Sequence, residues 1–395
     1  MLGICRFLAA MSMDIYKKMR LFAAKNGYFL RMLLKLANSL WDIAMKLRSQ
    51  IDFSVSVWLG TCTFLVALMI LLGGATRLTD SGLSIVDWKP VFGLLPPMNK
   101  LEWYTLFEAY KITTEFKTQN FWMKVDDFKS IYWLEYLHRL FGRVIGIIFF
   151  VPFLWFLVRG RLRNGLWWRC LCVFCLGAAQ GALGWYMVKS GLIGRTDVSQ
   201  YRLAAHLSLA VVIYIALLWL TLKCIRPRNP VKLQCLSIHS CLLVITVFLT
   251  IVAGGFVAGI DAGFAYNTFP LMNGSYVPKG WLEIKPTWKN FFENVATVQF
   301  IHRQLGILVV ALAILLWIRS RFTYPNILAA RLISLAAACS VFQMGLGIAT
   351  LLTAVPLFFG LLHQAGAIIM LSFAIGVVYE LSAERKHDPK TYQVS

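Results

Sequence analysis

Two short segments carry the ionisable residues that stand out in this apolar chain. Residues 135–139 read Glu-Tyr-Leu-His-Arg, and residues 299–303 read Gln-Phe-Ile-His-Arg. On a helix, Glu135 and His138 are three positions apart and share a face. Ionisable groups at membrane depth are costly, so by default they face a bundle interior and mark a functional site. The first segment therefore predicts a reactive site, with snorkelling to the membrane interface as the alternative.

Four histidines recur at matched positions of an internal repeat. His138 corresponds to His302, and His206, early in one apolar run, corresponds to His363, early in another. Imidazoles are common axial ligands of heme iron, and four-helix bundles bind cofactors between facing helices. Two such pairs predict two hemes, although any single histidine could instead be a hydrogen-bonded helix contact.

The two halves differ at one position of the repeat, where Glu135 in the first half corresponds to Gln299 in the second. A carboxylate can remove a proton, orient water or stabilise a developing cation, whereas an amide can only hydrogen-bond. The first half is therefore predicted to be reactive, with Glu135 catalytic, and the second to hold a permanent heme. The opposite assignment stays open.

Heme propionates need cations near the interface. Candidate contacts are Arg77, Arg139, Arg202 and Arg303, which follow or precede the histidines or open a connection. Ordinary interfacial snorkelling is the alternative for each. Arg143 lies deeper and receives no assignment.

The composition defines the elements that must position these residues. The chain has 395 residues, of which 59% are hydrophobic and 14% charged, which indicates a polytopic membrane protein in a lipid bilayer. The net charge of +21 comes from residues beside apolar runs, a topology signal, so no nucleic-acid partner is predicted. None of the nine cysteines lies in a long connection, which excludes a disulfide framework there. Cys170, Cys172 and Cys175 are interpreted as small buried thiols.

Eight apolar runs are each near the roughly 20 residues that a bilayer requires. Basic residues between the runs fall on one side, which places both termini on the cytoplasmic or matrix side. An Asn99–Glu102 capping pattern predicts a short helix in the first connection, and Asp126 or Asp127 is the expected N-cap of the second span. The predicted spans are 54–75, 135–158, 166–188, 203–223, 236–260, 298–318, 328–352 and 357–380.

Further motifs repeat between the first four spans and the last four. Gly73-Gly74 recurs as Gly254-Gly255, and residues 180–184 recur as 343–347. Each half has an even number of spans, so the halves share one orientation and are related by a pseudo-two-fold axis along the membrane normal. The four histidines then lie at one depth near the outer face. The other two histidines have no counterpart in the repeat. His239 is interpreted as structural, and His387 lies in the polar tail.

The predicted fold is an all-α polytopic membrane protein with eight transmembrane helices in two repeated four-helix bundles. Its predicted parts are a basic N-terminal segment, 1–52; an N-terminal bundle, 53–225, with a long outer connection at 76–134; a C-terminal bundle, 226–384; and a polar tail, 385–395.

These motifs resemble the heme A synthase family, most closely the subgroup shared by alphaproteobacteria and mitochondria. The resemblance covers about residues 52–384 and rests on the segments 73–84, 135–139, 184–192 and 200–206. It implies oxidation of the C8 methyl group of heme O to a formyl group by two successive hydroxylations, after which the gem-diol loses water. The heme A product supplies cytochrome c oxidase.

The resemblance also implies residue roles. His302 and His363 bind a heme b cofactor, His138 and His206 hold the substrate heme, and Glu135 matches the essential acidic residue. Many bacterial members carry a cysteine pair in the first outer connection. This chain has none there, so a thiol-linked step is not implied.

Expected partners are heme O, heme O synthase and an electron-transfer partner, with a homo-oligomer left open. A bacterial inner membrane is favoured, and a mitochondrial inner membrane is the alternative. Two other functions stay open. A di-heme b-type membrane electron carrier explains the histidine pairs but not the single carboxylate, and a transporter with parallel repeats predicts no heme absorbance.

Overall fold

The structure is a computed structural model that describes residues 53–86, 95–192, 196–226, 229–230, 235–323 and 327–384. The predicted N-terminal segment 1–52 and tail 385–395 lie outside these residues, as does His387. The described part contains ten α-helices: α1 Phe53–Leu78, α2 Lys100–Lys111, α3 Val125–Val158, α4 Leu166–Gly191, α5 Gln200–Ile225, α6 Cys235–Gly259, α7 Asn290–Glu293, α8 Val295–Thr323, α9 Ile327–Leu352 and α10 Leu357–Leu381.

Eight of these helices, all except α2 and α7, are long and apolar enough to cross a membrane. They match the eight predicted spans, so the fold class is confirmed and the chain is a multi-pass integral membrane protein. The two long connections meet at one end of the bundle, where Arg77 bridges to Asp261 at 2.9 Å. This loop end is formed by the described residues of 79–124 and 260–294.

The start of α3 differs from the prediction. The helix has 34 residues and begins at Val125, with Lys124 rather than Asp126 or Asp127 as N-cap. Asp127 instead occupies the third helical position, where its carboxylate accepts a hydrogen bond from the Lys124 backbone N–H at 2.9 Å. That is the position from which an acid caps a helix start reciprocally. The other predicted start is confirmed: Asn99 caps α2 and accepts from the Glu102 N–H at 2.9 Å.

Two apolar cores hold the eight membrane-spanning helices together. One joins α1, α3, α4 and α5 through residues such as Leu59, Phe153 and Leu217. The other joins α6, α8, α9 and α10 but also takes in Ile70 of α1 and Val211 of α5. The two predicted bundles therefore share one of the cores, and the domain bounds stay a prediction.

Glycine contacts between the halves repeat. A Cβ placed at Gly255 of α6 would lie 3.2 Å from Leu207 of α5, and one at Gly74 of α1 would meet the amide of Gln364 of α10. The last helix of each half, which carries its second histidine, thus packs on the first helix of the other half. The repeated contacts support a two-fold relation, whose axis along the membrane normal stays a prediction.

At the opposite end, β1 (Asn229–Pro230) pairs antiparallel with β2 (Ala383–Glu384). Seven cysteines of the described part are free. Cys170 is buried as predicted, but Cys172 and Cys175 are exposed, because they lie on the face of α4 turned away from the core around Cys170 and Val173. The interpretation of these two as buried thiols was wrong.

We expect Gly259→Ala to separate the loop ends of α5 and α6. The new Cβ would lie 2.8 Å from the backbone Cα of Gln200, and such overpacking costs about 1–3 kcal/mol. Thermal unfolding in detergent should show a lower midpoint. Gly306→Ala on α8 is the control, because nothing lies within 4 Å of its Cβ position. Equal midpoints for both variants would contradict the packing described.

Candidate functional site

Each of the four predicted histidine ligands lies against a glycine of the preceding membrane helix. At these positions any side chain would occupy the space of the imidazole. The distances from an added Cβ to the imidazole Cε1 are 3.3 Å for Gly73–His138, 2.9 Å for Gly184–His206, 3.1 Å for Gly254–His302 and 2.8 Å for Gly347–His363. The motifs that repeat in the sequence are therefore pairs in contact. Each glycine lies within two turns of the loop end of its helix.

The second half brings His302 and His363 together. Their ring centroids are 6.3 Å apart and their planes cross at 84°. Two imidazoles that bind one metal ion from opposite sides, each nitrogen at about 2 Å, have centroids about 6 Å apart. The Nδ1 of His302 lies 3.1 Å from the Thr250 carbonyl oxygen, and such a partner leaves Nε2 to bind metal. The pair fits one heme iron.

The first half places His138 and His206 near enough for an electrostatic interaction. The Nδ1 atoms of both rings are buried and make no hydrogen bond to any residue that the structure describes. Buried polar atoms without partners are uncommon in native proteins. The pair retains hydrogen-bonding and ligating capacity for a bound group.

Sequence reasoning missed the contacts of two glutamines. Nε2 of Gln343 donates to the His363 carbonyl oxygen at 2.7 Å and lies 3.0 Å from the ring Nδ1. Nε2 of Gln180 donates to the His206 carbonyl oxygen at 3.1 Å and lies 3.2 Å from the ring Nε2. In the sequence, Gln180 and Gln343 stand out only as the first residues of a repeated motif. An amide in an apolar helix, one turn before a glycine, was the available signal.

The carboxylate of Glu135 is buried and fully engaged. Oε2 accepts hydrogen bonds from the Ser84 hydroxyl and from the Ile85 backbone N–H, both at 2.7 Å. Oε1 accepts one from Arg139 at 2.6 Å, and Arg139 also donates to the Ile85 carbonyl oxygen at 3.0 Å. Glu135 and Arg139 therefore tie the connection after α1 to the helix that carries His138.

Gln299 and Arg303 tie down the corresponding connection in the second half. The Gln299 amide donates to the Ala262 carbonyl oxygen at 2.7 Å. Arg303 donates to the carbonyl oxygens of Tyr266 and Thr268 at 2.6 and 2.9 Å, and to Gln299 Oε1 at 3.1 Å. The two halves thus share one arrangement with different hydrogen-bonding polarity.

The remaining predicted arginines are also held by protein groups. Arg77 pairs with both Asp80 and Asp261 and so joins the two long connections. Arg202 lies over the Tyr186 ring, 4.3 Å from its centroid, and donates to its hydroxyl at 3.1 Å. A role toward propionates stays a prediction for Arg77, Arg139, Arg202 and Arg303. His239 is buried on α6 near Arg319, apart from the four paired histidines.

Several carboxyl groups lie near one another at the loop end of the first half. Burial, as the largest cause, and the nearby carboxylates of Asp80, Glu135 and Asp197 together raise the pKa of Glu115 to about 8. Oε2 of Glu115 has no hydrogen-bond partner among the described residues. No group of three or more His, Cys, Asp or Glu in the described ranges is arranged to hold a metal ion.

We expect Glu115→Gln to flatten the pH dependence of stability. The carboxyl pKa is raised from 4.5 to about 8 on folding, so the folded state binds more protons and wild-type stability falls as pH rises through this range. The neutral amide lacks that penalty. Thermal midpoints between pH 5 and 8 measure the difference, with exposed Glu108→Gln as control. Parallel curves for wild type and Glu115→Gln would contradict the expectation.

Comparisons with known proteins show which family the chain resembles. A model of the cytochrome oxidase assembly protein family matches residues 56–375. A heme A synthase of Nitrosospira multiformis is 46% identical over 332 residues, which cover 83% of this chain and 93% of the relative. One of Nitrosomonas eutropha is 44% identical over 342 residues, covering 85% and 95%. One of Paramagnetospirillum magneticum is 42% identical over 334 residues, covering 83% and 93%.

Proposed function

Because this chain belongs to the cytochrome oxidase assembly protein family, in which its relatives are heme A synthases, we propose that it converts heme O to heme A. The reaction oxidises the C8 methyl group to a formyl group by two successive hydroxylations. The observation that carries the proposal is the presence of two histidine pairs of matching construction, only one of which has a carboxylate one turn away.

The second half is the proposed cofactor half, in which His302 and His363 would hold heme b. Their centroid separation of 6.3 Å supports this assignment. The Thr250 carbonyl oxygen would orient the His302 ring by accepting from its Nδ1–H, and the Gln343 amide holds the backbone of His363 through its carbonyl oxygen. Bound heme b supplies one-electron chemistry at a potential tuned by its ligands and surroundings.

The first half is the proposed substrate half, with His138 and His206 as the ligands of heme O. Of the three roles considered for Glu135, its contacts support a fixed negative charge best. Three donors occupy the carboxylate oxygens, so stabilisation of a developing cation requires no rearrangement of the group. Proton abstraction would require one of these bonds to break.

Cations at the loop end are proposed to meet the heme propionates. Arg139 and Arg303 are each next to a ligand histidine, and Arg202 is one turn before His206. Arg77 lies where the two connections meet. Arginine binds carboxylates in a planar, bidentate geometry, so each can add a propionate contact to the contacts it already has.

The setting follows from the spans and their flanking charges. We infer that the loop end faces outward and that both termini lie on the cytoplasmic side of a bacterial inner membrane, with the mitochondrial inner membrane as the alternative. Residues 53–225 then form the substrate half and 226–384 the cofactor half. Heme O synthase and an electron-transfer partner are the proposed protein partners.

We expect Glu135→Gln to abolish heme A formation while heme b stays bound. The variant loses a buried charge beside the substrate histidine, and loss of one such electrostatic group costs about 100- to 1,000-fold in rate. Pyridine hemochrome spectra of protein purified with a heme O source report both hemes. Glu102→Gln, which changes an exposed acid on α2, is the control.

Undiminished heme A formation by Glu135→Gln would refute the role of Glu135. If the wild-type protein itself yields only heme b with heme O supplied, a di-heme b-type electron carrier is the better assignment. The closely matched construction of the two histidine pairs is the observation that favours this second candidate.

We expect Gly347→Ala to weaken heme b binding. The added Cβ would lie 2.8 Å from Cε1 of His363 and displace the ring, and a tenfold loss of affinity corresponds to about 1.4 kcal/mol. Heme b content after purification is the measurement. Gly345→Ala is the matched control, since its Cβ position has no neighbour within 4 Å. Equal heme content in the two variants would count against His363 as a ligand.

A further inference from the structure

We propose that Ser84 and the backbone N–H of Ile85 are positioning groups for Glu135, so that the connection after α1 fixes the negative charge of the first half. The inference rests on the proposed function and adds residues to its site. Ser84 is 2% exposed and Glu135 is 3% exposed. Solvent is therefore excluded from the contact, and its geometry is set by the protein alone.

One oxygen of the carboxylate receives both donors from the connection. The Ser84 hydroxyl and the Ile85 N–H lie 2.7 Å from Oε2, which leaves Oε1 to Arg139. Arg139 also holds the Ile85 carbonyl oxygen. The backbone of Ile85 is therefore held at both its N–H and its C=O group, and this part of the connection cannot shift without moving the carboxylate.

An amide at position 135 cannot satisfy this arrangement. If the amide oxygen faces Arg139, its NH2 group meets the Ile85 N–H, and if it is turned over, the NH2 group meets the Arg139 guanidinium. Either orientation opposes two donors. A buried donor left without an acceptor is costly, so the connection selects a carboxylate.

The second half shows the opposite selection. There the connection presents the Ala262 carbonyl oxygen to the amide of Gln299. A carboxylate at this position would oppose two acceptors. The difference between Glu135 and Gln299 is therefore matched by their connections, and the site of the first half extends to Ser84 and Ile85.

The test compares Ser84→Ala with Ser84→Thr, which keeps the hydroxyl, in the full-length protein loaded with heme. We expect Ser84→Ala to keep heme b but to lower kcat for heme A formation about tenfold with little change in KM, since one donor to a charged acceptor is lost. Ser84→Thr should restore the rate. Amide hydrogen exchange at Ile85 should be faster in Ser84→Ala and Glu135→Gln than in wild type.

Ser81→Ala is the matched control, because this buried hydroxyl of the same connection contacts Thr76 and Thr79 rather than Glu135. Wild-type rate and exchange in Ser84→Ala would overturn the proposal. So would a lost rate with unchanged Ile85 exchange, or loss of heme b, which would indicate general unfolding. If the wild type makes no heme A, the proposed function fails, while Ile85 exchange still tests the contact.

Discussion

The close approach of four imidazoles to four glycines is the contact on which the rest of the structure depends. Each histidine ring lies against a residue that has no side chain, and an added Cβ would lie 2.8 to 3.3 Å from the ring, closer than ordinary van der Waals contact. The glycines therefore determine how near the helices come and where the rings can be. The glutamines, the fastened connections and the pairing of the rings follow from that spacing, because each depends on the histidine-bearing helix staying in place.

The two halves use one framework with different polar chemistry. In each half an arginine next to a histidine holds a connection in place. The first connection presents hydrogen-bond donors to Glu135, whereas the second presents a carbonyl oxygen to Gln299. The carboxylate of Glu135, which only accepts hydrogen bonds, therefore fits the first half, and the amide of Gln299, which also donates, fits the second. The two tasks proposed for the halves then require no difference in the path of the backbone, only a different set of polar atoms facing inward. The chemistry is set by which polar atoms a connection turns inward.

Most of the fold could be predicted from the sequence, because apolar runs of bilayer length leave few alternatives. Recurrence of the histidine motifs predicted that His302 and His363 belong together, and their ring centroids lie 6.3 Å apart. The contact of each ring with a glycine was not predicted. The partners of Glu135 could not be predicted, since Ser84 lies 51 positions away in an irregular connection. The start of α3 was also missed, because Asp127 suits both an N-cap and the third helical position. Periodicity identifies helices, whereas contacts between loops and helices depend on tertiary geometry.

The core shared between the halves has a consequence for motion. Ile70 of α1 and Val211 of α5 are buried among α6, α8, α9 and α10, and Arg77 clasps Asp261 across the loop end. A hinge between the halves would expose this packed interior to lipid and break the clasp. Bending at the boundary between the halves would therefore lose the packing of these buried side chains, so the shared core opposes relative motion of the two halves.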